Sequence, residues 1–139
     1  MKELRNALGP QIPLSAKVFG WLLVAAGFYF FYVFTQIPGS FFPGVGIETY
    51  SERFGLYSTG ARVLGSVAGL MIALWLDSAA LLALMLATRI FIEIGDILVG
   101  LILNQASDAN TYALSVTAGI ETVFLIILLR VLIRAGRMS

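Results

Sequence analysis

From Lys17 to Ile37 the sequence KVFGWLLVAAGFYFFYVFTQI carries no charge after its first residue, and this run constrains the fold more than any other feature. A helix rises about 1.5 Å per residue, so a run of this length matches a hydrocarbon core of about 30 Å. The segment is longer than the apolar region of a signal peptide. The Ile37-Pro38-Gly39-Ser40 that follows is a poor small-residue cleavage site, which points to a retained span.

Three more stretches meet the same length rule: residues 59–76 (TGARVLGSVAGLMIALWL), 79–103 and 112–133. Asp77-Ser78 leaves room only for a tight hairpin between the second and third. Asn104-Gln105-Ala106-Ser107-Asp108-Ala109-Asn110 makes a polar connection before the fourth, with Asp108 suited to cap it. Pro38, Pro43 and the glycines around them break regular structure. The aromatic-rich segment 38–58, with Glu48, Glu52 and Arg53, therefore reads as an outward-facing loop at the interface. The expectation is an all-α membrane protein, a four-transmembrane-helix bundle forming a single domain. Composition agrees, since 59% of the 139 residues are hydrophobic and 12% charged, against about 25% charged in soluble domains.

Lys2, Arg5 and Lys17 precede the first span, Arg130 lies in the final turn of the last, and Arg134 and Arg137 follow it. This bias places both N and C termini in the cytoplasm, as an even number of spans requires. A multi-pass location in a bacterial inner membrane follows as the expectation. A net charge of +1 with no basic patch offers nothing to nucleic acid. The chain has no cysteine and no histidine, which removes thiol chemistry, Fe–S clusters, bis-histidine haem and the usual catalytic zinc sites. No cofactor or metal is implied. Chemistry falls to carboxylates, Tyr, Lys, Arg, Ser or Thr.

The third span breaks the apolar rule with Arg89-Ile90-Phe91-Ile92-Glu93-Ile94-Gly95-Asp96. At about 100° per residue Glu93 lies about 40° from Arg89 and Asp96 about 20° to the other side, so all three share a narrow face. Each charge at the bilayer centre costs about 2.5–3.5 kcal/mol even on the lenient insertion scale, so the face must meet protein or a wet cavity. By depth, Arg89 pairs with Glu121 of the fourth span or with Glu93. Arg62, near the start of the second span, pairs nearer the outside with Asp96 or Glu93. Tyr29, Tyr32 and Gln36 form a polar edge of the first span at compatible depths. Arg62 and Arg89 oppose Glu93, Asp96 and Glu121, leaving one carboxyl without a counter-charge; held as the neutral acid, it is a general acid or hydrogen-bond donor. The glycines and alanines at Gly60, Gly65, Gly69, Gly95, Gly100, Ala118 and Gly119 read as points where helices approach closely.

Phe54-Gly55-Leu56 ahead of the second span, Gly60-Ala61-Arg62-Val63-Leu64-Gly65 opening it, Arg89 within the third and Gly95-Asp96 later in that helix give the chain a resemblance over residues 16–134 to DoxX-like small four-helix integral membrane proteins. The resemblance implies the four-span plan and an association with membrane redox partners. Its wider neighbourhood implies lipophilic ligands held against intramembrane acids, although several enzymes there depend on histidines that this chain lacks.

Two functions compete on these residues. One is a membrane-embedded enzyme or binding protein for a lipophilic small molecule, with an outward-opening pocket in which Glu93, Asp96 and Glu121 are the catalytic carboxyls and Arg62, Arg89, Tyr29, Tyr32 and Gln36 hold the substrate. Isomerisation, cyclisation or epoxide opening would suit carboxylates without a metal. The other is a non-catalytic subunit of a redox or transport complex, its charges serving assembly. The expected partners are the lipid bilayer, the lipophilic molecule and further copies of the chain joined through glycine-rich faces.

Overall fold

The computed structural model describes residues 9–37, 49–102 and 108–136. They form four helices: α1 (Leu14–Gln36), α2 (Tyr50–Trp75), α3 (Ala79–Ile102) and α4 (Asp108–Gly136). α1, α2 and the Leu114–Gly136 stretch of α4 are long and apolar enough to cross a membrane. With 24 residues α3 matches them in length, and it differs in the Arg89, Glu93 and Asp96 that it carries.

Residues 50–58, which the sequence reads as the end of an outward loop, are instead the first turns of α2. The cause is local. The Glu52 carboxylate accepts the Thr49 backbone N–H (2.9 Å) and hydroxyl (2.8 Å), while Thr49 Oγ1 accepts the Glu52 N–H at 3.3 Å. This reciprocal capping box starts a helix wherever the flanking residues allow one. The rest of the expected loop, with Pro38, Pro43 and Glu48, lies outside the described residues, as do Lys2, Arg5, Arg137 and most of the connection expected at 104–110.

The chain divides into two compact units. The first, residues 18–72, comprises most of α1 and of α2, with Leu23, Val24, Val33, Val67 and Leu70 buried in it. The two helices approach closely at Gly27, where an added Cβ would overlap Val67 Cγ2, and at Gly60, where it would stand 3.2 Å from Thr35 and 3.3 Å from Phe31. Only glycine leaves room for neighbouring side chains so near the axis. Gly60 therefore does what the sequence suggests. Gly65, Gly95 and Gly119 do not, because among the described residues a Cβ on any of them meets nothing within 4 Å. Gly100 falls among the side chains not described.

The second unit joins the segment before Val18 to residues 73 onward. After α2 ends at Trp75, Asp77 takes a left-handed backbone (φ 53°), a conformation that Asp tolerates better than most residues. Ser78 then caps α3, its Oγ accepting the Leu81 N–H at 3.3 Å. Asp77 Oδ1 accepts the Ile12 N–H at 3.2 Å and the Lys17 ammonium at 2.9 Å, and the Ala79 N–H donates to Pro10 O at 3.0 Å. The N-terminal segment is thus clasped to the turn between α2 and α3. A chain whose α1 and α2 both cross a membrane must return to the side it started from, and this contact meets that condition.

Candidate functional site

α3 and α4 pack against each other, and residues 103–107 between them leave room only for an antiparallel return. Leu82, Leu86 and Glu93 are buried on α3; with Arg89 they follow the spacing of four, three and four that keeps a helix's side chains on one stripe. On α4 the buried Glu121 and Leu128 stand seven apart, again on one face. The Arg89–Glu121 contact fixes the register and sets Leu82 level with Leu128, each about 10 Å along its own helix from the ion pair. The seam is leucine at one end and ionic at its middle.

At that middle one guanidinium holds two carboxylates. Arg89 Nε donates to Glu121 Oε1 at 2.6 Å across the helix pair, and Nη2 donates to Glu93 Oε1 at 3.3 Å along α3. Glu121 is fully buried and Glu93 is 7% exposed. Their second oxygens, Glu121 Oε2 and Glu93 Oε2, are buried with no hydrogen-bond partner among the described residues. Each unsatisfied oxygen of this kind costs about 1–3 kcal/mol, so two on carboxyls held by one guanidinium need a reason.

The exterior is the reverse of a soluble protein's. Phe91 and Trp75 are 75% and 77% exposed and Ile102 80%, while two glutamates lie inside. Thr35, Thr59, Thr88 and Thr122 each turn the hydroxyl back to the carbonyl four residues earlier, at 2.7–2.9 Å. Such back-bonding satisfies a hydroxyl without water. No family model, curated protein or solved structure matches this chain. The chemistry of the site therefore rests on its own geometry.

Of the site residues read from the sequence, the structure brings Arg89, Glu93 and Glu121 together. Asp96 is half-buried about one turn beyond Glu93. Tyr29, Tyr32, Gln36 and Arg62 are exposed and belong to the unit formed by residues 18–72. The Tyr29 ring meets Phe30 edge-on, with centroids 5.9 Å apart, and Gln36 Nε2 donates to Thr35 Oγ1 at 3.5 Å.

Three polar arrangements are not read from the sequence. The capping box is visible as Thr49-Tyr50-Ser51-Glu52, a T-x-x-E pattern. Ser78 before Ala79-Ala80-Leu81-Leu82 is an ordinary N-cap signal. The Lys17–Asp77 clasp has no local signal, since its partners are far apart in the chain.

Proposed function

We propose that the protein is a four-span membrane protein in which the Arg89–Glu121–Glu93 cluster is a ligand site, serving an enzyme or binding protein for a lipophilic small molecule. The observation that carries this reading is the pair of buried carboxylate oxygens left without partners among the described residues, on carboxyls held by a single guanidinium. An ion-pair network kept only for assembly would gain from closing on itself, and unsatisfied oxygens are what such a network avoids.

In this reading Arg89 positions Glu121, and Glu93, the more exposed of the two glutamates, moves the proton. Isomerisation needs only that a proton be taken from one carbon and returned to another of the same molecule; cyclisation and epoxide opening need an acid at the departing or developing oxygen. Asp96, on the same face of α3, is the next candidate. The same proposal puts both termini in the cytoplasm of a bacterial inner membrane. The DoxX-like resemblance stands beside it as a family proposal.

A direct test places the purified protein in lipid nanodiscs with a bacterial lipid extract and compares the extract by chromatography and mass spectrometry after incubation. Wild type is expected to convert or retain a component that Glu93→Gln leaves unchanged or unbound. Identical extracts from the two would remove the acid/base role. The 2.6 Å Arg89–Glu121 contact, with Glu121 wholly enclosed, favours the second reading, a non-catalytic subunit with charges that fix helix register. That reading is supported if the extracts match and a partner complex co-purifies only while Arg89 and Glu121 are intact.

A further inference from the structure

The chemistry of the two free oxygens narrows what such a ligand must carry. Nε and Nη2 belong to one planar group, so the carboxyls they hold are neighbours. Glu93 Oε2 and Glu121 Oε2 are thereby two acceptors on neighbouring carboxyls, each buried and answered by no donor among the described residues. An ionised carboxylate only accepts hydrogen bonds, so another carboxylate, a ketone or an ether in the ligand would leave both oxygens as they are.

Charge points the same way. With both carboxyls ionised, the two glutamates and one guanidinium carry a formal −1, and a bound cation offsets it where isolated charge is most costly. A cation with several N–H donors answers the charge and both oxygens together. An ammonium has this form, with up to three donors on a compact centre. A quaternary ammonium supplies charge without donors, and an alcohol supplies one donor without charge. An alkali or divalent ion normally takes six or more oxygens, more than this pair offers. Away from the site the outer faces of the two helices are apolar, with Phe91, Ile94 and Leu98 exposed on α3 and Ile120 and Val123 on α4, so a ligand that reaches the site from those surroundings has a hydrocarbon body.

We infer that the Glu93–Glu121 oxygen pair binds the ammonium head of a lipophilic primary or secondary amine. This rests on reading the cluster as a ligand site, and the test separates the two. Dodecylamine, dodecyltrimethylammonium and dodecanol are each titrated into protein in phosphatidylcholine nanodiscs, bound probe is counted by native mass spectrometry, and helicity is followed by circular dichroism.

Wild type is expected to bind one dodecylamine per chain at least tenfold more tightly than either other probe. Glu93→Gln and Glu121→Gln should each erase that preference. Glu93 lies at the more exposed edge, so its glutamine variant is expected to keep wild-type helicity, which leaves the test readable even if Glu121→Gln does not fold. Equal, Glu93-dependent binding of dodecanol and dodecylamine would overturn the amine assignment and leave the ligand site standing. Binding of all three probes that ignores Glu93→Gln would overturn both.

Discussion

Replacing Arg89, Glu121 and Glu93 by methionine, singly and in pairs, separates what holds α3 to α4 from what merely lies beside it. Arg89→Met strips the guanidinium from two buried carboxyls at once, and removing one partner of a buried ion pair costs about 3–5 kcal/mol. Glu121→Met leaves Arg89 its contact with Glu93. It loses the shorter bond, 2.6 Å to a fully enclosed oxygen, and a hydrogen bond to a charged group contributes about 1.5–3 kcal/mol. Glu93→Met gives up only a 3.3 Å contact within one helix and at the same time removes an unsatisfied oxygen, so its net cost is below about 1 kcal/mol, the range of i,i+4 and exposed pairs. In double-mutant cycles the Arg89–Glu121 coupling should therefore be about 2 kcal/mol and clearly exceed the Arg89–Glu93 coupling. The assay is unfolding by SDS in mixed micelles, followed by circular dichroism with wild type alongside. An Arg89–Glu93 coupling equal to or larger than the Arg89–Glu121 coupling would refute the assignment of Glu121 as the partner that sets the register. An Arg89→Met variant as stable as wild type would do the same.

Other consequences are simpler to measure. Gly27→Ala places a Cβ against Val67 Cγ2, a stiff β-branched side chain with nowhere to go, and should destabilise by about 1–3 kcal/mol, with Val67→Ala restoring most of the loss in the same SDS titration. Gly119→Ala, whose Cβ meets open space, should be neutral or stabilising by up to about 1 kcal/mol through helix propensity; a loss as large as that of Gly27→Ala would show that a partner covers this face. Thr49→Ala removes the hydroxyl that caps α2 and is expected to cost about 1 kcal/mol and to raise amide hydrogen exchange at residues 50–54 while leaving the far end of α2 unchanged. Asp77→Asn keeps a residue that tolerates the left-handed backbone but gives up the charge opposite Lys17; it should be milder than Asp77→Ala, and the reverse order of stabilities would count against the clasp.

The long helices were legible because membrane crossing is written locally, in the length and uniformity of apolar runs. α1 and α3 begin and end within a few residues of the expected spans, and the shared face of Arg89 and Glu93 follows from helical periodicity alone. The start of α2 is harder to see in the sequence because the aromatics and charges of 50–58 suit an interfacial loop, although Thr49 and Glu52 hold the local signal for a helix. The glycines show the limit of composition. Gly27 and Gly60 sit where helices touch and Gly65, Gly95 and Gly119 do not, and nothing within a few residues of each tells them apart.

By itself the sequence determined that this chain makes long apolar helices, one of which carries an acid and a base on the same stripe. Which carboxylate the arginine would grip was decided by tertiary structure, because depth along two helices leaves both Glu93 and Glu121 within reach and only the antiparallel register of α3 and α4 brings Nε to Glu121 Oε1 at 2.6 Å. The same packing encloses the second oxygen of each glutamate without a partner among the described residues. Burial and pairing are properties of neighbours, and a sequence fixes its neighbours only after it folds.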